Sequence, residues 1–449
     1  MMDIKKPMGY KPIFPLLLTM ALPPMLSMLI QAMYNVVDSI FVAQLGENAL
    51  TAVSLIYPLQ NLSLAFSCGI GIAINAFIAR YLGADDKKQA SYYATQGLMM
   101  SFLHSLIFVI IGLFFIKPFI SLFTSNTTVF NYAWQYGFIV MTFTFGSFIH
   151  IAIEKIFQAT GNMFIPMIMQ IVGAVINIIL DPILIFGYFK IPALGVSGAA
   201  IATIVGQIVA CLLSIIMYKY YCHDIHISFK NYHFDFQAFK NLYTIAVPSA
   251  TMMCLPSVLV SLLNGILASI SQTAVAFFGI YFKLQSFVYM PANGIVQGMR
   301  PIMSYNYGAK QKERMDKTLW ASLISIGTIL CLGTVLFMIF PSLILSFFKA
   351  NSQMLAIGNS GLQILSLGFV CSIPGILMSG IFESLGYGKQ SLIISLLRQF
   401  IIIIPLSLIL LPSFHLNGVW ITFPISELIA SFISYILYKK IYKNIKMAD

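Results

Sequence analysis

Long apolar segments recur along almost the whole chain, and short polar connections separate them. A helix of about 20 apolar residues is long enough to cross the hydrocarbon core of a bilayer. Runs such as 323–340 and 401–411 lack the alternation of apolar and polar residues that strands of a membrane barrel would show. The sequence therefore predicts an all-α membrane protein with twelve transmembrane helices, near residues 14–42, 50–79, 92–117, 130–157, 164–188, 196–220, 240–268, 274–303, 318–348, 354–384, 390–412 and 417–440.

Composition excludes the soluble and the nucleic-acid-binding classes of protein. Only 9% of the 449 residues are charged and 59% are hydrophobic, whereas soluble domains have about 25% charged residues. The net charge of +11 comes from Lys and Arg in short clusters between apolar segments, not from one basic polar domain. We expect the lipid bilayer as the surrounding medium and no nucleic acid as a partner.

The basic residues predict the orientation in the membrane, because cytoplasmic loops carry an excess of Lys and Arg. With the N-terminus inside, 20 of the 25 Lys and Arg residues fall on the cytoplasmic side or at adjoining helix ends. Only Lys117, Lys190 and Lys349 fall outside, and an odd number of helices in either half would ruin this sorting. We expect a multi-pass protein of the bacterial plasma (inner) membrane with both termini cytoplasmic.

The second half of the chain repeats the first at one constant offset, without a gap. Chance gives scattered matches among leucines, but Pro, Gly and Asn seldom fall into register by chance. Such a repeat decides the architecture before any single helix does. The matched pairs include Pro23 with Pro248, Leu59-Gln60 with Leu284-Gln285, Gly69 with Gly294, Gly83-Ala84 with Gly308-Ala309, Asn126 with Asn351, Phe157 with Phe382, and Gly161 with Gly386.

Each repeat contains six predicted spans, so both halves enter the membrane from the same side. The sequence predicts two six-helix bundles related by a pseudo-two-fold axis along the membrane normal: an N-terminal lobe at 1–220, a cytoplasmic linker at 221–239 and a C-terminal lobe at 240–449. Transporters use this plan, because two such bundles can rock and open a central cavity to alternate sides. We therefore expect a transporter with its substrate between the lobes.

Charged residues inside predicted spans are candidates for function, since each costs roughly 2.5–3.5 kcal/mol at the centre of a helix. There are five: Asp38 and Asp181 in the first half, and Lys283, Arg398 and Glu427 in the second. Glu154 and Glu383 lie near cytoplasmic helix ends, and we expect both to be solvated.

The two aspartates are predicted to lie at the same depth. Each precedes a polar residue of the outer surface by nine positions, which places both roughly 13 Å below that surface. Asn177, Tyr136 and Thr203 fall at a similar depth. Oxygens of this kind can hold a proton or coordinate a hard cation, so Na⁺ at Asp38, Asn177 and Asp181 is one interpretation.

A structural interpretation of these residues also stands. Asp181 precedes Pro182 and can cap a broken helix, while Asn177 and Tyr136 can be interhelical hydrogen-bonding groups. In the second half, Glu427 can form an ion pair with either Lys283 or Arg398. The alternative is a substrate-cavity or gating role for those three, and we predict the same role for Tyr34 and Gln31.

Specific motifs resemble those of the multidrug and toxic compound extrusion (MATE) transporters, and within them the bacterial MepA-like branch. The resemblance covers nearly the full length of the chain. It rests on Tyr34-Asn35-Val36-Val37-Asp38 with Gly46, on Gln158-Ala159-Thr160-Gly161-Asn162 leading to Pro166, on Asn177-Ile178-Ile179-Leu180-Asp181-Pro182, on Gly195-Val196 through Ala202-Thr203 and Gly206-Gln207, and on Gly279-Ile280-Tyr281-Phe282-Lys283-Leu284-Gln285.

The resemblance implies export of organic, often cationic, drugs and dyes as H⁺ or Na⁺ enters, without another cofactor and by a monomer. Members of the family place the coupling ion in the N-terminal lobe, which corresponds here to Asp38, Tyr136, Asn177, Asp181 and Thr203. Some branches also carry an acidic residue in the seventh span. Here 248–268 has none, so an ion site of that type is not expected in the C-terminal lobe.

Three alternatives remain at the level of sequence. A related flippase for lipid-linked saccharides, or an exporter of another small amphiphile, would have the same fold, although more bases facing the cavity would be expected. Another superfamily with two six-helix halves would show a basic motif where this chain has Gly83-Ala84-Asp85-Asp86-Lys87-Lys88. An intramembrane enzyme would need a His/Asp or paired-acid cluster near one surface, whereas His104 and His150 stand alone. We expect no enzyme.

Overall fold

The computed structural model describes residues 7–230, 232–348 and 351–444, and these residues contain helices but no strand. A short helical turn at Pro7–Tyr10 precedes the long helices. We number the long segments α1 to α12: Ile13–Ala43, Glu47–Gly83, Lys87–Ser121, Thr127–Thr142 with Phe145–Ala159, Phe164–Phe186, Val196–Tyr221, Phe236–Ala268, Gln272–Gly308, Lys312–Ile339 with Pro341–Ser346, Ser352–Leu385, 388–414 and 416–444.

These twelve segments match the twelve predicted spans one for one, which confirms the predicted fold class. Nine described helices are long and apolar enough to cross a membrane, and the two bent parts of α4 together make a tenth. Helix α8 is not among these ten, and Gly388–Tyr442, which contains α11 and nearly all of α12, is counted among them as one helix. The run divides at His415, whose φ of 49° and ψ of −137° are not helical, and this break separates α11 from α12.

Three of the spans are irregular inside the membrane segment. The two parts of α4 meet at an angle of 43°. A π-helical turn interrupts α3 at Ile111–Phe115, and another interrupts α11 at Leu397–Ile401. Such π turns are frequent at functional sites. The turn in α11 contains Arg398, one of the charged residues predicted inside a span.

Matched residues of the two repeats have matched backbone conformations. Asn126 and Asn351 both cap a helix, with the side-chain oxygen accepting hydrogen bonds from backbone N–H groups. Other matched residues share the left-handed region of φ, where most side chains are strained. These pairs are Asp85 with Lys310, Gly161 with Gly386, and Lys190 with His415. The repeat is therefore a repeat of local structure as well as of sequence.

Contacts divide the chain into two compact units. Unit N is Leu26–Ala250, and unit C combines the residues up to Met25 with Thr251 and those after it. The two boundaries are themselves matched by the repeat and fall inside α1 and α7, shortly after the matched prolines Pro23 and Pro248. Helix α6 ends at Tyr221 and α7 begins at Phe236, so α7 starts inside the predicted linker. The lobe boundaries at 220 and 240 stay a prediction.

Candidate functional site

In unit N, three polar residues of α1 lie on one face of the helix. Gln31, Tyr34 and Asp38 are spaced by three and four residues, which places them one above another. Gln170 on α5 donates a hydrogen bond from Nε2 to the side-chain oxygen of Gln31, at 3.3 Å. The polar face of α1 therefore contacts α5, the helix that contains the second predicted aspartate.

Helix α5 continues through Pro182 to Phe186, and Asp181 is completely buried. Asn177 lies one turn earlier and is 3% exposed. In the amide orientation that satisfies both of its ends, Asn177 donates to Oδ2 of Asp181 at 3.2 Å and accepts from the backbone N–H of Thr203 at 3.1 Å. The amide thus connects the aspartate of α5 to helix α6.

Asp38 and Asp181 meet directly. Their carboxyl groups approach closely enough for a hydrogen bond between them. In each residue, Oδ1 is buried and has no hydrogen-bond partner. Two carboxylates this close repel each other unless a proton or a cation lies between them. The unpaired oxygens are therefore suited to hold either one.

Tyrosine hydroxyls border this acid pair. The hydroxyls of Tyr34 and Tyr136 lie near both aspartates, and Tyr57 lies near Tyr34. Gln60 on α2 donates from Nε2 to the hydroxyl of Tyr136, at 3.4 Å. The structure therefore gathers all five residues of the predicted coupling site, and it adds Gln60 and Tyr57. For Gln60 the sequence offered a signal, because it is one of the residues matched by the repeat.

The donor set around the acid pair consists of carboxylate, amide and hydroxyl oxygens. Such oxygens favour a proton or a hard monovalent cation over a transition metal, which prefers nitrogen or sulfur ligands. Within 7–230, 232–348 and 351–444, no cluster of three or more His, Cys, Asp or Glu side chains could hold a metal ion. The residues thus fit H⁺ or Na⁺ as a transported ion.

In unit C, Glu427 pairs with Arg398 and not with Lys283. Nε of Arg398 lies 2.6 Å from one carboxylate oxygen and its second nitrogen lies 2.9 Å from the other, so the pair is bidentate. Both side chains are about nine-tenths buried. Lys283 is exposed in unit C, and no ion pair joins it to another described residue. The sequence left both bases open as partners, and the structure selects Arg398.

The expectation that Glu154 and Glu383 are solvated is wrong. The Glu383 side chain is 3% exposed and pairs with Arg300 at 2.5 Å. Glu154 is 12% exposed and accepts from Lys155 at 2.9 Å and from Gln158 at 2.7 Å. Counting residues from a helix end gave their depth but not which way they face. At both positions the side chain is turned into the bundle, where charges need partners.

The segment between α6 and α7 is held against α3 within unit N. Tyr232 donates its hydroxyl hydrogen to Gln96 at 2.9 Å, and Gln96 donates from Nε2 to the carbonyl of His233, also at 2.9 Å. The hydroxyl of Tyr92 donates to the carboxylate of Asp235, and this hydrogen bond holds the pKa of Asp235 below its ordinary value. Tyr232, His233 and Asp235 of the connection between the repeats are therefore hydrogen-bonded to α3 within unit N.

Known proteins resemble the chain over nearly its whole length. The MatE family model matches residues 23–183 and again 248–409, once in each repeat. The multidrug export protein MepA of Staphylococcus haemolyticus is 27% identical over 95% of this chain and 93% of the relative. The FAD transporter of Shewanella oneidensis is 26% identical over 97% of this chain and 96% of the relative.

Solved structures have the same fold. A crystal structure of MATE in complex with MaL6 matches with a TM-score of 0.90 at 22% identity over 99% of both chains. A transporter of the MOP superfamily from Pyrococcus furiosus, described as having a binding pocket of reverse polarity, matches with a TM-score of 0.89 at 22% identity over 99% of both chains. With the family model matched in both repeats, this chain is a member of the MatE family, a multi-span membrane transporter and not an enzyme.

Proposed function

We propose that this chain is a cation-coupled exporter, an antiporter that moves organic, often cationic, compounds out of the cell by alternating access as H⁺ or Na⁺ moves in. The observation that carries the proposal is the direct meeting of Asp38 and Asp181, with one buried, unpaired oxygen on each. A site that binds one cation and releases it is what coupling requires. The named export function of the MepA relative supports drugs as the substrate class.

The roles in the coupling site follow from the contacts. Asp38 and Asp181 hold the ion, Asn177 orients Asp181, and Thr203 anchors that amide through its backbone N–H. Tyr136 presents its hydroxyl to Asp38 from α4, as does Tyr34 from α1. Gln31 sits two turns from Asp38 in a hydrogen bond to Gln170, and we assign it to the substrate-facing surface of α1 together with Tyr34.

The remaining features of the proposal come from the sequence. The protein acts as a monomer in the bacterial inner membrane, both termini are cytoplasmic, and the lobes at 1–220 and 240–449 are joined by the linker at 221–239. No cofactor other than the coupling ion takes part. Lys283, which is exposed in unit C, remains a candidate to face substrate.

A second candidate function has a specific observation in its favour. One relative that covers nearly the whole chain is named as a transporter of FAD, which is an anion and not a cationic drug. A flippase for lipid-linked saccharides, or an exporter of another small amphiphile, belongs to the same alternative. Each of these would use the same scaffold with a different substrate surface.

Gradient-driven efflux from proteoliposomes tests the coupling. With an imposed pH gradient, or separately a Na⁺ gradient, the wild type should move a fluorescent organic cation, while Asp181→Asn and Asp38→Asn should abolish movement and remain folded. The matched control is Asp85→Asn, an exposed residue with a φ of 60° that Asn tolerates. Undiminished gradient-driven efflux by Asp181→Asn would contradict the assignment. Movement of FAD but not of cations would favour the alternative.

A further inference from the structure

Glu427 of unit C has surroundings like those of the acid pair Asp38 and Asp181 in unit N. Gln60 and Gln285 are matched by the repeat and occupy the same position in it. Gln60 donates to the hydroxyl of Tyr136, which lies beside Asp38. Gln285 lies close to Tyr289, and Tyr289 lies beside Glu427. In both units, therefore, a matched glutamine lies beside a tyrosine that is close to a carboxyl group.

The two acidic centres also resemble each other in the number of tyrosines near the carboxyl groups. The hydroxyl of Tyr289 donates to Ser372 at 3.0 Å, and a second tyrosine, Tyr281, lies near both Tyr289 and Glu427. Unit N likewise has two tyrosines, Tyr34 and Tyr136, near its carboxyl groups. Each unit thus has a buried acidic centre bordered by two tyrosine hydroxyls.

The two acidic centres differ in whether a basic side chain lies against the carboxyl group. In the described part of unit N, no Lys or Arg is among the groups that interact with Asp38 and Asp181. In unit C the guanidinium of Arg398 covers both carboxylate oxygens of Glu427. The π-helical turn at Leu397–Ile401 contains Arg398, and the carbonyl of Arg398 accepts a hydrogen bond from Ser426 on α12 at 3.2 Å. Both the side chain and the backbone of Arg398 therefore contact α12.

We propose that Arg398 is a built-in cation that closes a latent cation site at Glu427, so that only unit N binds a coupling ion. This inference rests on the proposed function, since it takes the acid pair of unit N as the open site. The latent site would bind a proton or a hard monovalent cation, because the atoms that coordinate it would be oxygens of the Glu427 carboxylate and of the Tyr289 and Ser372 hydroxyls. The groups facing Glu427 are Arg398 on α11, Tyr281 and Tyr289 on α8, and Cys371 on α10.

Removing the guanidinium should open the site. Arg398→Met, in the full-length protein purified in detergent, leaves Glu427 without its partner, and the variant should then take up one more cation than the wild type. The readout is the temperature of unfolding, which rises with the concentration of any ligand that binds only the folded state. The pH is lowered from about 8 to about 5.5, or Na⁺ is raised from none to about 0.3 M. In each case we expect the unfolding temperature of Arg398→Met to rise by about 3 °C or more beyond the rise of the wild type.

Two matched variants isolate the charge. Arg398→Met combined with Glu427→Gln removes both charges and should lose the extra response, while Arg398→Lys keeps a cation at the acid and should behave as the wild type. An Arg398→Met protein that is folded but responds to pH and Na⁺ as the wild type does would overturn the proposal. So would an Arg398→Met protein that folds under no condition while the double variant folds, and so would the failure of both to fold, since the pair would then serve packing alone.

The same measurements in an Asp181→Asn background separate this inference from the proposed function. If the acid pair of unit N is the open site, Asp181→Asn removes the cation response of the wild type, and Arg398→Met restores a response that comes from unit C. If the proposed function is wrong, Asp181→Asn leaves the wild-type response unchanged whatever Arg398 does. A response lost in Asp181→Asn and not restored by Arg398→Met would reject the latent site alone.

Discussion

The two repeats have the same backbone and different charges. Helix caps and left-handed residues recur at matched positions of the two halves. The acids do not recur, since the positions matched to Asp38 and Asp181 are Leu263 and Leu406. Positions that shape the backbone are constrained by local sterics, whereas a buried polar group needs only some partner. A duplicated scaffold can therefore place a pair of acids in one half and apolar residues at the matched positions of the other.

A second pair of matched polar positions shows the same divergence. Asn75 in the first repeat matches Arg300 in the second, and Gln158 matches Glu383. In unit N the amide of Asn75 donates to the carbonyl of Lys155 at 3.3 Å. In unit C, Arg300 and Glu383 form an ion pair instead. The same interhelical position is neutral in one repeat and charged in the other.

Exchanging these residues between the repeats should give the largest effect on stability. Arg300→Asn places the first-repeat residue in the second repeat and breaks the ion pair that Arg300 forms with the buried Glu383, so we expect a loss of about 3–5 kcal/mol in the free energy of unfolding. Adding Glu383→Gln completes the neutral combination and should recover most of that loss. Denaturant unfolding of the purified protein measures both. A double variant no more stable than Arg300→Asn would show that the two positions are not equivalent.

The matched glycines of α2 and α8 should differ in what they tolerate. A Cβ on Gly69 would lie 2.5 Å from the carbonyl oxygen of Ala246, which is backbone and cannot turn away. A Cβ on Gly294 would meet the side chain of Met25, which is flexible. We expect Gly69→Ala to cost about 1–3 kcal/mol in the free energy of unfolding and Gly294→Ala to cost less. Thermal unfolding in detergent compares them.

Gly265→Ala is the control for that comparison. No atom lies within 4 Å of a Cβ at this position, so the substitution should leave stability unchanged or raise it by up to about 1 kcal/mol through the helix propensity of alanine. Equal losses for Gly69→Ala and Gly294→Ala would mean that the backbone contact has no special cost.

The smallest effect concerns the segment between the repeats. Tyr92 matches Lys317, but Tyr92 donates to Asp235 whereas Lys317 pairs with Glu313 on an exposed face. The hydrogen bond from Tyr92 lowers the pKa of Asp235. A carboxyl group whose pKa is lower in the folded than in the unfolded protein stabilises the fold above the unfolded pKa, and this stabilisation is lost as the pH falls through the folded pKa.

We therefore expect Tyr92→Phe to lower the unfolding temperature slightly at neutral pH, and the difference from the wild type to vanish in acid once Asp235 is protonated. Unfolding temperatures measured from neutral to acidic pH test this expectation. Lys317→Met is the matched control, since an exposed ion pair contributes little, and it should be close to neutral. A difference for Tyr92→Phe that persists unchanged into acid would place the effect elsewhere than at Asp235.

Much of the geometry of the proposed coupling site can be predicted from the sequence, because it depends on depth. Residue counts predict the same depth for Asp38 and Asp181, and a common depth is a necessary condition for the contact that the structure shows. Gln60 is not predicted as a site residue although the repeat matches it, because a glutamine in a span carries no charge that would mark it as functional. The hydrogen bonds of Tyr232 and His233 to α3 have no signal in the sequence, since they join residues that lie far apart along the chain.

The sequence by itself determined the twelve spans and the duplicated architecture. Apolarity, helix length and glycine or proline positions act within one segment against a uniform lipid solvent, so a linear string contains them. Only the tertiary structure decided that Glu427 pairs with Arg398 and not with Lys283, and that the side chains of Glu154 and Glu383 are turned into the bundle. Those outcomes depend on the direction in which side chains leave neighbouring helices. A difference of a few ångströms between neighbouring helices then decides which charges meet. A count of residues along one helix contains no information about that distance.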